Sequence, residues 1–236
     1  MIMLKVINDD YKNVINKIPD NSIDLIVTDP PYPVTNRGNS GTMGGMMATK
    51  KTMKGKVFNF NNLDISEYIN ELYRVLKPNS HCYIFCNQKN IYHFMNIINN
   101  QSKFKWFKNL IWLKDNKIAN QYYMTQFEYI LFLRKGKAKR INHCGTSEVL
   151  QFKNKKLKDG NNHVIHPTEK PVELIKTLIE NSSKENDIVL DPFMGIGSTP
   201  LACVESKRRF IGTEIDKCFY DVTCQRLKKV GVEING

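Results

Sequence analysis

The tetrapeptide Asp29-Pro30-Pro31-Tyr32 follows the apolar residues Ile23, Leu25, Ile26 and Val27. A carboxylate, two residues of fixed φ and an aromatic ring make a rigid acceptor beside a flat surface, a combination no folded core requires. Asp-Pro also starts many turns, so these four residues alone leave a plain turn open. A second stretch, residues 186–216, reads "NDIVLDPFMGIGSTPLACVESKRRFIGTEID". An apolar strand ends in Asp191, a glycine turn follows, a helix starts near Ser198, and a second strand ends in Glu214. This is the layout of a nucleotide-type cofactor site, with Gly195 and Gly197 admitting close backbone approach to a ligand. Glu214 lies 19 residues past Gly195, where a carboxylate accepts hydrogen bonds from ribose hydroxyls. A dinucleotide fingerprint needs a third glycine where Pro200 stands, and no G-x-x-x-x-G-K-[ST] loop occurs. An adenosyl cofactor without phosphates therefore fits better. S-adenosylmethionine has that form, and Asp191 beside the turn suits its cationic sulfonium. A tight turn that binds nothing is the alternative.

The elements that must bring these two stretches together follow from the apolar pattern. Strands are expected at 4–7, 23–28, 81–86, 108–113, 127–133, 188–191 and 210–214, several apolar throughout, as strands buried on both faces are. Helices are expected at 10–17, 65–76, 91–100, 171–182, 198–206 and 217–230; the 65–76 helix stops at Lys77-Pro78-Asn79. Alternation of the two predicts an α/β fold, a doubly wound, mostly parallel sheet with helices on both faces, in one domain over 1–236. Ligands of such sheets sit beyond the carboxyl ends of the strands, so the ends at Asp29 and Asp191 can face one pocket. Two segments break the rhythm. Residues 33–56 are rich in Gly, Met, Thr and Lys and are expected to form a mobile loop; residues 135–162 are basic, polar and only weakly patterned around "SEVLQF".

The formal net charge of +12 favours a polyanionic partner. Nine Lys or Arg lie between Arg134 and Lys158 against one acid, Glu148, and five basic residues with no acid lie between Pro33 and Leu63. Two nearly acid-free stretches suggest a phosphate-binding footprint, set against the alternative of solvated loops. Its candidate members are Arg37, Lys50, Lys51, Lys54, Lys137, Lys139, Arg140, Lys153, Lys155 and Lys156. The apolar runs fall short of a membrane span, and Asp9-Asp10 stands where a secretory leader would stay apolar, so a cytoplasmic protein is expected. The six cysteines form no C-x-x-C pair and most read as small core residues; His143, Cys144, His163 and His166 fit no familiar zinc spacing, and no metal is expected. Trp106, Phe107 and Trp112 are expected in the core.

On these motifs the chain resembles the amino-methylating DNA methyltransferases. Asp29-Pro30-Pro31-Tyr32 matches the family's [D/N/S]-P-P-[Y/F/W], and Phe193-Met194-Gly195-Ile196-Gly197 resembles F-x-G-x-G. "HPTEKPVELIKTLI" looks like the segment around the methionine end of the cofactor, and the N-terminal lead-in puts Asp10 where an Asp contacts its adenine ring. The amine motif precedes the cofactor motif, the circularly permuted order of the β group. The resemblance implies S-adenosylmethionine as cofactor, double-stranded DNA as partner and a bacterial or phage source, with relatives that are often homodimers. It implies cofactor contacts from Asp10, Thr168, Lys170, Asp191, Phe193, Gly195, Gly197, Ser198, Thr199 and Glu214. Residues 135–162, where the family keeps its target-recognition region, are short.

The resemblance gives the tetrapeptide a chemical role. An exocyclic amine is a poor nucleophile because its lone pair is delocalised into the ring. Acceptors to one side, the Asp29 carboxylate and the rigidly held Pro30 carbonyl, free that pair, and Tyr32 offers a stacking face to a flipped base. A methylated adenine N6 is expected, since Asp rather than Ser leads the motif; cytosine N4 is the alternative. A catalytically silent nucleic-acid-binding module is a second alternative, and RNA or a small amine a further substrate.

Overall fold

The computed structural model describes residues 3–31, 63–118, 122–137, 139–166 and 168–232. Tyr32, Arg37, Lys50, Lys51, Lys54 and the expected loop 33–56 lie outside the described residues. Eight described strands form one sheet: β1 (Leu4–Ile7), β2 (Ile23–Thr28), β3 (Leu76–Cys86), β4 (Lys105–Ile118), β5 (Thr125–Arg134), β6 (Val149–Gln151), β7 (Ile188–Asp191) and β8 (Arg209–Thr213). Their order is β1-β8-β7-β2-β3-β5-β4-β6. Every pairing is parallel except those of β5 with β3 and β4, so β5 alone runs against the rest.

The helices are α1 (Tyr11–Ile15), α2 (Ile69–Val75), α3 (Ile91–Gln101), α4 (Val172–Ser182), α5 (Ser198–Glu205) and α6 (Lys217–Lys229). Side chains alternate across a strand, and the central strands use both faces. Ile23, Ile26, Cys82, Ile84 and Cys86 pack with Ile15, Leu72 and Ile98 from the first three helices. Leu25, Val27, Tyr83 and Phe85 pack on the other face with Leu178, Cys203 and Leu227 from the last three. Burial on both faces explains the unbroken apolar runs Leu25–Val27 of β2 and Cys82–Cys86 of β3.

Three sequence readings change. The expected helix 65–76 divides: Asp64 and Glu67 form a reciprocal cap around a short 3₁₀ turn at Ile65–Glu67, and α2 starts only after Tyr68. The chain is extended already at Leu76, so the stop comes before Lys77-Pro78-Asn79. β6 was hidden in "SEVLQF" because three residues, with only Leu150 buried, cannot display an alternation. Trp112 is in the core, but Trp106 and Phe107 are 44% and 51% exposed, in the exposed first residues of β4.

Candidate active site

Parallel pairing of β2 with β7 puts Thr28 and Asp191 at the same carboxyl edge of the sheet. Thr28 Oγ1 donates to Asp191 Oδ1 at 2.8 Å, Phe193 N donates to the same oxygen at 3.1 Å, and Thr199 Oγ1 donates to Oδ2 at 2.6 Å. Burial pushes the Asp191 carboxyl up to about 6 against the pull of these bonds. Its oxygens lock the turn to both strands, where the sequence suggested a carboxylate standing ready for a cationic ligand.

The glycine turn is held from behind by α6. Thr223 Oγ1 donates to Gly195 O at 2.9 Å and Arg226 Nη1 to Ile196 O at 2.7 Å. Gly195 and Gly197 have φ of +54° and +84°, and a Cβ on Gly197 would stand 2.7 Å from Thr223 Cγ2. Glycine is therefore required at 197 by both backbone and space. Glu214 accepts from Gly195 N at 3.0 Å and from Asp216 N at 2.8 Å, and burial pushes its carboxyl up to about 7. Asp10 caps α1 by accepting from Lys12 N at 2.8 Å. Phe193 packs on Tyr11 and Tyr68, with ring centroids 5.0 and 5.4 Å apart.

These residues line a cavity of about 520 Å³, within the range of small-molecule sites. Asp10, Thr168, Lys170, Asp191, Phe193, Gly195, Ser198, Thr199 and Glu214 all reach it, as do Asp29, Pro30 and Pro31; Gly197 lies behind its wall as the cap of α5. An adenosyl group fits this lining: Phe193, Leu63, Ile215 and Phe219 supply apolar surface, the Glu214 carboxylate supplies a polar anchor, and Gly195 puts no side chain in the way of close approach.

The other end of the cavity is built around Asp29. Its Oδ2 accepts from Lys170 Nζ at 2.5 Å, while its Oδ1 is buried with no hydrogen-bond partner. Burial raises the Asp29 carboxyl; Lys170 acts against that shift and Glu128 with it. Lys170 Nζ also donates to Thr168 O at 3.1 Å and stands 3.4 Å from Glu128 Oε1, and Lys114 Nζ lies 3.0 Å from Glu128 Oε2. Burial works against the charged form of Glu128, but Lys170 and Lys114 outweigh it and hold the carboxyl below its ordinary value. Sequence reasoning missed Lys114 and Glu128. An acid inside the otherwise apolar run "FEYILFLRKG" was the available signal.

The basic insert divides between two edges of the sheet. Lys137, Lys139 and Arg140 follow the end of β5, with Lys137 N bonded to Asn79 Oδ1 at 2.9 Å, at the edge opposite the cavity. β6 then carries the chain to the cavity side. There Asn154 bonds Asp115 and Asn116 at the end of β4, at 2.8 and 2.9 Å, and flanks it with exposed Lys153 and Lys155. Lys156 turns inward instead, donating to Glu169 O, and burial lowers its ammonium to about 8. Glu169, also missed, ties the insert to α6 by accepting from Leu157 N at 2.6 Å and pairing with Arg226 at 3.0 Å. Among the described residues no three His, Cys, Asp or Glu side chains converge as a metal site.

Comparison with known proteins agrees with this geometry. The Type II methyltransferase M2.LlaDCHI of Lactococcus lactis subsp. cremoris is 30% identical over 240 residues, covering 95% of this chain and 89% of that protein. M2.DpnII of Streptococcus pneumoniae, another Type II methyltransferase, is 31% identical over 243 residues, covering 96% and 90%. The crystal structure of an M1.HpyAVI–SAM complex superposes with a TM-score of 0.71 at 26% identity, over 95% of this chain and 100% of that one. The sequence model of the N6/N4 DNA methylases matches residues 23–225. The chain belongs to the DNA methylase family.

Proposed function

We propose that this protein transfers a methyl group from S-adenosylmethionine to the N6 amine of an adenine flipped out of double-stranded DNA. The observation that carries the reading is the unpartnered, buried Oδ1 of Asp29 in the cavity wall. A buried acceptor without a donor is costly, and such sites are kept where a ligand supplies the donor. Bound S-adenosylmethionine supplies an electrophilic methyl group. Asp29 Oδ1 accepts a hydrogen bond from one amine N–H, the Pro30 carbonyl accepts one from the other, and the nitrogen lone pair is freed to attack. The new nitrogen–carbon bond forms as the carbon–sulfur bond breaks, and the surplus proton leaves the nitrogen for water. Tyr32 is assigned to stacking on the base. Glu214, Asp10 and Phe193 are assigned to the adenosyl group, with Gly195 allowing its close approach, and Thr168, Ser198 and Thr199 to the polar end of the cofactor. Positioning and electrostatics carry the acceleration, with no covalent enzyme intermediate.

The resemblance favours adenine because Asp leads the motif, and a carboxylate is a stronger acceptor than a serine hydroxyl. The Type II names of the relatives support a modification role in a bacterial restriction system, and hence the cytoplasm; no described helix is long and apolar enough to cross a membrane. A homodimer belongs to the same reading and is read out by sedimentation. The test is incubation with labelled S-adenosylmethionine and duplex DNA, followed by mass spectrometry of the digested nucleosides. N6-methyladenine is the expected product. Methylcytosine alone would overturn the base assignment, and no labelled nucleoside would overturn the activity.

A further inference from the structure

Asp29, Lys170, Glu128 and Lys114 form a line of alternating charge from four separate parts of the chain: the end of β2, the turn before α4, β5 and β4. Their side chains are only 20%, 5%, 12% and 12% exposed. Opposite charges brought together out of water interact strongly, and each depends on its partners to remain ionised. An ammonium has three protons. For Lys170 these point to Asp29 Oδ2, Thr168 O and Glu128 Oε1, so its donors are taken up inside the protein. This differs from a lysine reserved for the carboxylate of a cofactor.

We propose that Lys170 and Glu128 are positioning residues for methyl transfer: Lys170 holds Asp29 by Oδ2 so that Oδ1 stays open to the incoming amine, and Glu128 holds Lys170. The inference rests on the methyltransferase reading of Asp29. Without Lys170, no side-chain donor among the described residues holds the carboxylate rotamer, and the buried acid is driven to its protonated form, which is a poor acceptor. Without Glu128, Asp29 is the one carboxylate left on Lys170, beside the Thr168 carbonyl, and its negative form is favoured. The groups that bear on Asp29 are Lys170, Glu128 and Lys156, together with Asp191, Cys86 and the Tyr68 hydroxyl. Among them Lys170 acts to lower the Asp29 carboxyl and Glu128 to raise it.

The two substitutions therefore act in opposite directions. Lys170→Met should move the acid limb of the kcat–pH profile to higher pH and reduce kcat at pH 7.5 by about tenfold or more, the scale of one lost orienting charge. Glu128→Gln, nearly isosteric, should move that limb to lower pH. Lys170→Arg should recover part of the lost rate. Binding of S-adenosylmethionine, measured by calorimetry, should stay within about threefold in all three, well under the tenfold that 1.4 kcal/mol represents. The ionisation of Asp29 has its own readout: carbon-13 NMR of the aspartate carboxyls in the unliganded protein, with Asp29→Asn to assign the signal. That titration needs neither cofactor nor DNA, so it can fail or succeed independently of the activity. Shifts of opposite sign support the proposal. Shifts of one sign, no shift, or a large loss of cofactor affinity in Lys170→Met with kcat retained would overturn it. Should Lys170→Met not fold, Glu128→Gln alone decides by the direction of its shift.

Discussion

Thr28 Oγ1 and Asp191 Oδ1 are 2.8 Å apart, although 163 positions separate them in sequence. The bond fastens the end of β2 to the end of β7 one residue before Asp29, so the Asp29 end and the glycine-turn end of the cavity share one buried joint. Thr28→Val keeps the shape and removes the donor. Asp191 retains Thr199 and Phe193 N but loses one of its three bonds. Unfolding free energy should fall by about 1–3 kcal/mol, the cost of an acceptor left short in the interior. Urea denaturation reads it as a lower midpoint at unchanged m, and Thr28→Ser should restore most of the loss. A midpoint equal to that of the parent protein would show that the joint contributes nothing.

The strands that form this joint were legible in the sequence, and for a physical reason. β1, β2 and β7 fell on their expected bounds; for β2 and β7 the reason is that central strands buried on both faces carry apolar runs, Leu25–Val27 and Ile188–Leu190. The expected helix 65–76 was misread because the reciprocal cap of Asp64 and Glu67 looks, in one dimension, like an ordinary polar helix surface. The cavity was legible as two motifs at two strand ends. Its inner charges were not: Lys114, Glu128 and Glu169 acquire meaning only when β4, β5 and the insert come together around Lys170. The basic residues of 135–162 looked like one footprint because sequence shows their density and not the passage of β6 from one edge of the sheet to the other.

Glu214, assigned to the ribose, should make cofactor binding depend on pH. Its carboxyl is raised from 4.5 to about 7 in the ligand-free protein, chiefly by burial. Ribose hydroxyls that donate to it favour the ionised form and lower it again. Binding then releases a proton near pH 7, and affinity should weaken as pH falls through about 7 and level off above it. The same raised value bears on stability with a definite sign. The folded state binds this proton more tightly than the unfolded chain, so the contribution is present below about 4.5 and is lost as pH rises through about 7. Calorimetry in buffers of different ionisation enthalpy measures the released proton, and Glu214→Gln should abolish it while weakening binding. Proton release that survives in the variant would assign it to another group.

Gly197→Ala tests the turn. At φ +84° an L side chain is strained, and the new Cβ would meet Thr223 Cγ2 at 2.7 Å. Strain of about 1–3 kcal/mol adds to the displacement of Thr223, whose hydroxyl holds Gly195 O. The variant should be destabilised by at least that amount and should bind cofactor more weakly, since α6 no longer supports the turn. Gly195→Ala shares the backbone strain, at φ +54°, but differs in space: its Cβ would stand 3.3 Å from His166 Nε2, a contact that a side-chain shift of a few tenths of an ångström relieves. It should cost less stability than Gly197→Ala and still lower affinity by narrowing the cavity. Thermal melts and cofactor titrations of the two variants separate the effects, and equal destabilisation would refute the distinction.

The salt dependence of DNA binding tells which edge of the sheet the duplex meets. Lys153 and Lys155 are exposed beside the end of β4 on the cavity side, whereas Lys137, Lys139 and Arg140 are exposed at the far edge. A duplex that delivers a flipped base to Asp29 can reach the first pair and is too far from the second group to touch both in the same complex. Each phosphate contact contributes about 0.9 to the slope of log K against log salt. Lys153→Ala with Lys155→Ala should therefore lower that slope by up to about 2 and weaken binding across sequences alike, with cofactor affinity unchanged. Lys139→Ala with Arg140→Ala should leave the slope where it was. Fluorescence anisotropy over a range of salt concentrations measures both. A slope that responds to the second pair and not the first would mean that DNA approaches from the opposite edge, and that the base reaches the cavity by a route the sheet itself would block.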